Sequence, residues 1–576
     1  MSGWAGNRTV IGLAAAALLA TLPVGPVAAK PASGPAARAA HCDKDNGGVT
    51  LPPGFCATVF ADKLGHVRHL VITPEGVVYA NIWSGVYYGG AKAPEAGSLL
   101  VLKDTKGTGH ADLIKHFGAP ASEGAAGGTG VAIYKGWVYA EERDKILRYA
   151  LQPGQLVPTG KPEVVLSGMP LGGDHPMHPF IIDAKGQMFV DMGSATNSCQ
   201  SRNRTANTPG TMPCTELLTR GGIWRYDADK LGQVFSPAGR YATGLRNGEG
   251  LAIDTAGRVF ATQHGRDQLQ TNWASVYPDA AHATDLPSEE LVQLTAGGDY
   301  GWPYCYYDGF QNKLVLAPEY GGDGGKTVGL CAKKAEPVAA FPAHWAPNDL
   351  ALYNAKGFPA AYRGGAFIAF HGSWNRAPLP QDGYNVVFQP LRNAKTTGPY
   401  IVFADGFVGP GVKDPGKAVY RPMGLTVGPD GALYIADDVK GRIWRVTYRG
   451  PASAKLVAAK APDAAPVAQA AAVALPTPPG ATATQVAAGD RVYHAQSCAG
   501  CHGSDAKGTP LAPDLTSGTW LWGDGSLASI HDTIAKGVPD PKKYRSAMPP
   551  MGGASLSAPD LDALSAYVWA VGHAKP

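Results

Sequence analysis

The chain has a low charge density and almost no excess of either sign. Its 576 residues include 50 lysines and arginines against 46 aspartates and glutamates, for a formal net charge of +4, and charged residues make up 17%. This balance gives no electrostatic reason to expect nucleic acid or an acidic polymer as a partner. Long helical patterns are also scarce, because 75 glycines and 48 prolines interrupt them. With 45% hydrophobic residues, the composition is that of a globular, turn-rich chain with more than one domain.

No apolar run is long enough to predict a transmembrane helix. One shorter run covers residues 10–22, behind Arg8 and ahead of the small residues 27–29. Its length and flanks are typical of a secretory signal peptide, residues 1–29, with cleavage after Ala29 or near Ala40. We therefore expect a soluble protein without an integral membrane segment, exported to the periplasm or otherwise outside the cytoplasm.

Cysteine is sparse, and one cysteine pattern stands apart. The chain has eight cysteines and a single C-x-x-C, in the segment Cys498-Ala499-Gly500-Cys501-His502. Two thiols at this spacing can attach to the two vinyl groups of one haem, and the next histidine then lies under the iron. A redox dithiol or half a zinc site would not explain His502. The motif predicts covalent haem c, with Cys498 and Cys501 as attachment points and His502 as an iron ligand.

The other six cysteines form three pairs that are close in sequence. Export would place them in an oxidising compartment, where disulfides persist. Six cysteines can pair in several ways. Proximity favours Cys42–Cys56, Cys199–Cys214 and Cys305–Cys331.

A repeated pattern runs from residue 69 to residue 447. An apolar strand, a turn with glycine and a second apolar strand recur, as in residues 70–79, 131–139, 180–189, 251–260 and 425–434, with a weaker copy at 364–368. Another alternating strand follows most copies. Six such units indicate an all-β six-bladed propeller over residues 42–450, with residues 55–60 adding an outer strand to the last blade. A β-sandwich or two smaller β domains are the alternatives.

The end of the chain differs in composition. Residues 451–485 are rich in alanine and proline and predict an extended linker. Residues 486–576 suit a small all-α domain, with Ser557 and Asp560 capping its last helix. This segment resembles class I cytochrome c domains, which place a methionine ligand in a Met-Pro step before the last helix. The resemblance implies Met548 as the sixth iron ligand, with Met551 as the alternative.

Three segments of the propeller carry a further resemblance. They contain the sequences Gly-Asp-His-Pro-Met-His at 173–178, Gly-Leu-Arg-Asn-Gly-Glu-Gly at 244–250 with Gly-Asp-Tyr-Gly-Trp-Pro at 298–303, and Tyr-Arg-Pro-Met-Gly at 420–424. In this order they resemble the soluble glucose and sorbosone dehydrogenase family, which uses pyrroloquinoline quinone (PQQ). The resemblance covers residues 50–448 and implies oxidation of a sugar or a related alcohol or aldehyde by hydride transfer to PQQ, followed by electron transfer through haem c to an external cytochrome, quinone or oxidase.

The resemblance also implies a role for each matching residue. His175 matches the general base, which suits the pKa of histidine, and Arg246 and Asn247 match the contacts to the quinone oxygens. Asp174, Arg421 and Asp438 match further residues of the cofactor site. The backbone carbonyls of Gly265 and Arg266 match the ligands of a calcium ion.

Some positions depart from the family. Near the family's cofactor lysine this chain has Asn375 and Arg376, and we expect Arg376 to take its place. Glu249 and Met423 replace a glutamine and an arginine of the glucose enzymes, which favours a sorbosone-type substrate. His178 is an alternative base.

Two other functions fit the same pattern. A metal-dependent lactonase propeller could use Asp437, Asp438 and Glu249, and a non-catalytic propeller could dock a partner for the cytochrome.

Overall fold

The computed structural model describes residues 42–82, 96–120, 128–377, 379–410, 413–415, 417–460, 475–496, 498–503, 506–508, 512–544, 548–553 and 556–574. The predicted signal peptide lies outside these residues. Within the described part of the chain, no helix is long and apolar enough to cross a membrane.

The fold is a six-bladed β-propeller followed by a small helical domain. Over the described residues, six antiparallel sheets follow one another along the chain, and we number them blades 1 to 6. Blade 1 consists of Leu70–Ile72, Val78–Asn81, Leu99–Lys103 and Leu113–Phe117. Blade 2 consists of Val131–Tyr134, Trp137–Glu142, Lys145–Ala150 and Glu163–Ser167, with Gln233–Val234 parallel at the edge. Blade 3 consists of Phe180–Ile182, Gln187–Met192, Gly222–Asp227 and Arg240–Thr243.

Blades 4 to 6 complete the ring. Blade 4 consists of Leu251–Ile253, Val259–Gln263, Glu289–Leu294 and Ala339–Phe341. Blade 5 consists of Pro347–Tyr353, Gly365–Phe370, Asn385–Gln389 and Ile401–Ala404. Blade 6 consists of Pro422–Val427, Leu433–Asp437 and Ile443–Tyr448 with Phe55–Ala61. Phe55–Ala61 pairs antiparallel with Ile443–Tyr448, so the N-terminal strand closes the last blade, as predicted. Two short hairpins, Cys305–Asp308 with Lys313–Leu316 and Leu391–Arg392 with Lys395–Thr396, lie outside the blades.

Several inner hairpins share one turn chemistry, which explains the sequence repeat. The Asp183 carboxylate accepts hydrogen bonds from the backbone N–H groups of Lys185 and Gln187, and Asp254 does the same two and four residues further on. In both turns a glycine adopts positive φ, 85° at Gly186 and 79° at Gly257. A side chain that mimics a turn acceptor and a glycine in the left-handed region fix these hairpins locally.

The six predicted disulfide cysteines pair as expected. The structure contains Cys42–Cys56, Cys199–Cys214 and Cys305–Cys331. The Cys199–Cys214 bridge packs against Trp302. The sequence-local pairing is confirmed.

Six helices occur in the described residues, and four of them form the C-terminal domain. They are α1 (Leu269–Asn272), α2 (Ala280–Thr284), α3 (Ala483–Ala495), α4 (Cys498–His502), α5 (Leu527–Lys536) and α6 (Ala558–Gly572). Short 3₁₀ turns cover Asn46–Gly48, Thr215–Leu218, Pro237–Gly239, Pro318–Tyr320, Gly329–Lys333, Ala360–Tyr362 and Pro550–Gly553.

The caps of the C-terminal helices agree with the sequence signals. Ser557 caps α6 by accepting from the Asp560 N–H, as predicted. Helix α3 begins at Ala483, so the last three residues of the predicted linker are helical, because Thr482 and Gln485 form a reciprocal capping box. Leu561, Leu564, Tyr567, Val568 and Val571 of α6 are buried against α3 and α5 in one apolar cluster.

Candidate functional site: a haem pocket and a propeller cavity that share a wall

The haem motif lies at the edge of an apolar pocket in the C-terminal domain. Helix α4 carries Cys498 and His502 into the pocket wall, and Met548 is also among the lining residues. The remaining walls are largely apolar and aromatic, and include Leu515, Trp520, Trp522, Ile530, Ile534, Tyr544 and Val568. The pocket has a volume of about 120 Å³.

The donor set of this pocket fits haem c. Cys498 and Cys501 take no part in the disulfides of the structure. His502 Nδ1 lies 2.9 Å from the Pro513 carbonyl, which fixes the proton on Nδ1 and leaves Nε2 as the ligating nitrogen. Among the described residues that line the pocket, Met548 is included and Met551 is not. The geometry therefore favours Met548 over Met551 as the thioether ligand, and that role stays a prediction.

The second cavity lies at the centre of the propeller, with a volume of about 780 Å³. It is lined by the two predicted catalytic residues, His175 and Arg246, and by four predicted cofactor residues, Asp174, Asn247, Arg421 and Asp438. Gly265, Glu249 and Asn375 also line it. The structure thus brings together residues that are up to 264 positions apart, from 174 to 438.

His175 is held in one tautomer. Its Nδ1 lies 3.0 Å from the Ser194 carbonyl and 2.9 Å from Ser194 Oγ. Because the Ser194 hydroxyl donates its own proton to the Thr196 carbonyl at 2.7 Å, Nδ1 must carry the hydrogen, and Nε2 keeps the basic lone pair. Burial, reinforced by the Arg246 guanidinium, lowers the pKa of His175 well below 6.5. The ring is neutral at pH 7 and can accept a proton.

Arg246 is fixed at the cavity wall by several acceptors. It donates to the Asn197 carbonyl and side chain at 3.1 and 3.0 Å, to the Gly265 carbonyl at 3.0 Å and to Asp267 at 2.7 Å. Its own backbone N–H is held by Gln263, the last residue of a blade 4 strand, at 2.9 Å. The Trp302 indole N–H donates to the same Asn197 carbonyl at 3.0 Å. This contact gives the Tyr-Gly-Trp-Pro sequence a structural role beyond loop packing.

Arg421 and Asp438 are positioned by blade 6. Asp437 ends a strand of this blade and accepts the Arg421 N–H at 2.7 Å. The Arg421 guanidinium donates to the carbonyls of residues 371 and 372 at 2.9 and 2.8 Å. Asp438 accepts from Arg68 at 2.9 Å and lies 2.7 Å from His371 Nε2. Burial opposes the charge of Asp438, but His371 and Arg68 outweigh burial and hold its pKa far below 3.8.

The placement corrects the prediction for Arg376. Its guanidinium donates to Asp285 at 2.6 Å and to the carbonyls of residues 343 and 380, and it is not among the described residues that line the cavity. Asn375 faces the cavity instead, where its amide donates to Asp267 at 2.7 Å. Adjacent residues in this extended loop point in opposite directions.

His178 is placed as a structural residue. It is completely buried, its Nδ1 lies 3.2 Å from Glu141, and its Nε2 lies 3.1 Å from the Pro170 carbonyl. Both ring nitrogens therefore face protein groups, and His178 does not line the cavity in the described structure. The alternative base is disfavoured.

The two residues predicted to bind calcium through their carbonyls, Gly265 and Arg266, are poorly placed to bind a metal ion. The Gly265 carbonyl lines the cavity but already accepts from Arg246, and Arg266 is not among the described lining residues. The Arg266 side chain points to Glu319. The described residues contain no group of three or more His, Cys, Asp or Glu side chains that could hold a metal ion. The metal site required by the lactonase alternative is not formed by the described residues either. The Asp437 carboxylate instead accepts hydrogen bonds from the backbone N–H groups of residues 421, 439, 440 and 441.

Unpaired polar atoms in the cavity wall mark a place where a ligand or water binds. Among the described residues, Asn247 Oδ1, Asn348 Oδ1 and His344 Nε2 are buried and lack a hydrogen-bond partner. Buried polar atoms are normally paired, so orphaned atoms at a cavity mark a place where a ligand or water completes the bonding. The guanidinium groups of Arg68, Arg246 and Arg421 in the same wall fit PQQ, whose three carboxylates require cationic partners.

Sequence reasoning missed a buried ion-pair chain beside these residues. Asp267 accepts from Arg246 at 2.7 Å and from Arg204 at 2.8 Å, and Arg204 also donates to Asp174 at 3.0 Å. Arg204 follows no family motif, and its only sequence signal is a position near Cys199. Three cavity histidines were missed as well: burial lowers the pKa of His264 to about 3, and those of His344 and His371 to about 4.

Residues of the C-terminal domain complete the propeller cavity. Ala499 and Gly503, which lie inside and directly after the haem motif, line it together with Lys543 and Tyr544. Tyr544 also lines the haem pocket. The haem-binding segment and the predicted quinone contacts therefore face one shared space.

Comparison with known proteins agrees with this architecture. Residues 49–449 match the family model TrAA12-like, and residues 484–568 match the model of subunit III of cbb3-type cytochrome c oxidase. The chain belongs to the TrAA12-like family, and it carries a cytochrome c domain at its C-terminal end.

Two characterised relatives match different parts of the chain. The pyrroloquinoline quinone-dependent pyranose dehydrogenase of Coprinopsis cinerea is 27% identical over 265 residues, 39% of this chain and 34% of that protein. The cbb3-type cytochrome c oxidase subunit FixP of Rhizobium etli is 41% identical over 76 residues, 13% of this chain and 26% of that protein. The chain spans less than half the length of the curated relatives that it matches.

Two solved structures share the propeller fold. A Trichoderma reesei carbohydrate-active enzyme of family AA12 aligns with a TM-score of 0.55 at 20% identity, over 70% of this chain and 98% of that chain. The PQQ domain of Coprinopsis cinerea pyranose dehydrogenase, in its holo form, aligns with a TM-score of 0.52 at 19% identity, over 69% and 97%. At this identity the likeness shows the fold alone.

Proposed function

We propose that this chain is an exported quinohaemoprotein dehydrogenase. It oxidises a sugar of the aldose or sorbosone type, or a related alcohol or aldehyde, and passes the electrons through haem c to an external acceptor. The observation that carries the proposal is the shared space: one cavity is lined by His175, Arg246 and Arg421 from the propeller and by Ala499 and Gly503 from the haem segment. The PQQ-dependent pyranose dehydrogenase relative supports the same reading.

The residues of the chain divide the chemistry between them. PQQ, when bound, accepts a hydride from the substrate and releases electrons singly. His175 removes the substrate hydroxyl proton at Nε2, because Ser194 holds Nδ1 and burial keeps the ring neutral. Arg246 and Asn247 would contact the quinone oxygens, where negative charge develops, and the bonds of Arg246 to Asn197, Asp267 and Gln263 fix that residue in advance.

The other predicted site residues support the cofactor and the haem. Asp174, Arg421 and Asp438 set the charge of the quinone site, Cys498 and Cys501 hold the haem, and His502 and Met548 ligate its iron. The calcium site at Gly265 and Arg266 stays a prediction without a step assigned to it; one structure of the Trichoderma reesei enzyme is a calcium structure. Three disulfides and the predicted signal peptide support export to an oxidising compartment such as the periplasm. The acceptor belongs to the class of soluble cytochromes, quinones or terminal oxidases.

An absorbance experiment tests this function. Haem-loaded protein, reconstituted with PQQ in the presence and absence of calcium, is mixed with a panel of aldoses, alcohols and aldehydes while the haem spectrum is recorded. We expect substrate-dependent haem reduction, and we expect His175→Ala to slow it about 100-fold or more, the usual contribution of a general base. Dithionite should reduce both proteins equally. A haem that stays oxidised with every substrate, or a variant with the wild-type rate, contradicts the proposal.

A further inference from the structure

The buried ion-pair chain connects the predicted quinone contacts with the cytochrome side of the cavity. Arg246 binds Asp267, Asp267 binds Arg204, and Arg204 binds Asp174, through N–O distances of 2.7, 2.8 and 3.0 Å. Arg204 further donates to Gln268 at 3.2 Å. Asn375 and the Asn197 amide complete the bonding of Asp267, at its side chain and its carbonyl. The four charges therefore alternate in sign along the chain of ion pairs.

Arg204 is the cation of this chain that acts on the haem segment. It lines the cavity together with Ala499 and Gly503, which flank Cys501 and His502. Burial raises the pKa of the Cys501 thiol, Arg204 opposes this rise, and Asp267 and Asp174 add to it. Only 4% of Arg204 is exposed, so solvent screens its charge weakly. Burial opposes the charged form, but Asp174 and Asp267 outweigh burial and raise the pKa of Arg204, which therefore stays cationic.

We propose that Arg204 is a positioning residue for electron transfer, which presents a buried positive charge to the Cys501 side of the haem and raises its reduction potential. The inference rests on the proposed function in one respect, namely that Cys498 and Cys501 carry haem c. When one electron enters the ferric haem, the charge of the iron centre falls by one. A fixed cation nearby stabilises the reduced form more than the oxidised form. Removing Arg204 changes the local charge by one unit, because Asp174 and Asp267 remain.

The experiment measures the haem potential of the full-length, haem-loaded protein by spectroelectrochemical titration, without substrate or quinone. We expect Arg204→Met to lower the ratio of reduced to oxidised haem about tenfold at a fixed applied potential, which is about 59 mV for a one-electron couple. Arg204→Lys should keep the wild-type potential, since it keeps the charge. Arg258→Met is the matched control, because Arg258 pairs with Asp254 in the inner hairpin turn of blade 4, is not among the described residues that line the cavity, and its loss changes the net charge equally.

A second variant separates an electrostatic role from a structural one. Asp174→Asn removes one of the two carboxylates on Arg204 and leaves its charge less compensated, so we expect the potential to rise. Opposite shifts in the two variants support the inference. An unchanged potential in both, or shifts of the same sign, overturn it. Absence of a haem c spectrum in the wild-type protein would instead refute the proposed function.

Discussion

An ion pair between the propeller and the cytochrome c domain leads to a pH-dependent prediction. His494, in α3 of the cytochrome domain, lies 3.5 Å through Nδ1 from Asp414 of the propeller. Its Nε2 lies 3.3 Å from Asp490, one turn earlier on the same helix. The His494 and Asp414 side chains are 11% and 6% exposed, so the contact is largely shielded from solvent. We refer to the pair His494–Asp414 as the clasp.

The charged state of the clasp follows from its surroundings. Burial opposes protonation of His494, but contacts with Asp414 and Asp490 outweigh it and raise the pKa above 6.5. The groups that face the imidazole from the neighbouring elements are Asp414, Asp490, Lys417, Tyr493 and Tyr567. A histidine whose pKa is higher in the docked than in the undocked state stabilises docking fully below its undocked pKa. That stabilisation is lost as the pH rises through the higher, docked value.

The size of the effect can be bounded. Coulomb's law at an effective dielectric constant of about 20 gives at most about 5 kcal/mol for opposite charges 3.5 Å apart. Desolvation of two partly buried ions removes most of this, and Asp490 pairs with His494 whether or not the domains are docked. We expect about 1.5 kcal/mol net, which is roughly a tenfold change in the docking equilibrium.

Small-angle X-ray scattering measures docking without any need for activity. The wild-type protein should be compact at pH 5.5 and shift towards extended conformations at pH 8.5, whereas His494→Gln should be extended to the same degree at both. His531→Gln is the matched control, because His531 pairs at 3.4 Å with Asp562 inside the cytochrome domain. A wild-type scattering curve that does not change with pH, or a control that behaves like His494→Gln, would refute the reasoning.

Two further predictions concern the propeller. Ser194→Ala removes the hydroxyl 2.9 Å from His175 Nδ1 but leaves the backbone carbonyl as an acceptor. We therefore expect the rate of substrate-driven haem reduction to fall only about 3- to 10-fold, with an unchanged haem spectrum. A loss as large as that of His175→Ala would contradict the assigned tautomer. Replacing both Cys199 and Cys214 with serine opens a bridge with a sequence separation of 15, and we expect the free energy of unfolding of the propeller, followed by tryptophan fluorescence in denaturant, to fall by about 3 kcal/mol. Unchanged stability would show that the surrounding loop is ordered without the bridge.

Local signals predicted the elements whose chemistry is local. The C-x-x-C-H motif, the inner hairpins and the cap at Ser557 each depend on residues a few positions apart, and the structure contains all of them. Apart from residues 55–60 of the last blade, the outer strands were not predicted, because they are short and partly exposed, as in Leu113–Phe117, where three central residues face solvent. The first strand of blade 5, Pro347–Tyr353, was also missed, since its polar start at Asn348 and Asp349 hides the alternating pattern.

The same distinction explains the candidate site. Residues inside family motifs, such as His175, Arg246 and Arg421, were predicted and do line the cavity. Arg204 and Asp267 come from different loops and meet only when the blades close, so no sequence spacing announces their 2.8 Å contact. Arg376 was assigned by its charge, whereas the loop geometry turns Asn375 inward instead.

The cytochrome domain, docked at the propeller cavity, affects electron transfer and substrate entry in opposite ways. Electron transfer favours the arrangement in which Ala499 and Gly503 close one side of the cavity, because it brings the haem segment next to the predicted quinone contacts. Substrate entry favours the opposite, since Lys543 and Tyr544 occupy part of the same opening. A clasp that stabilises docking by about 1.5 kcal/mol is compatible with both electron transfer and substrate entry. It holds the docked state without preventing release on the time scale of turnover. A larger apolar interface would speed the electron step at the expense of exchanging sugar for product. The single ion pair at His494 is therefore the kind of contact that a tethered electron carrier requires.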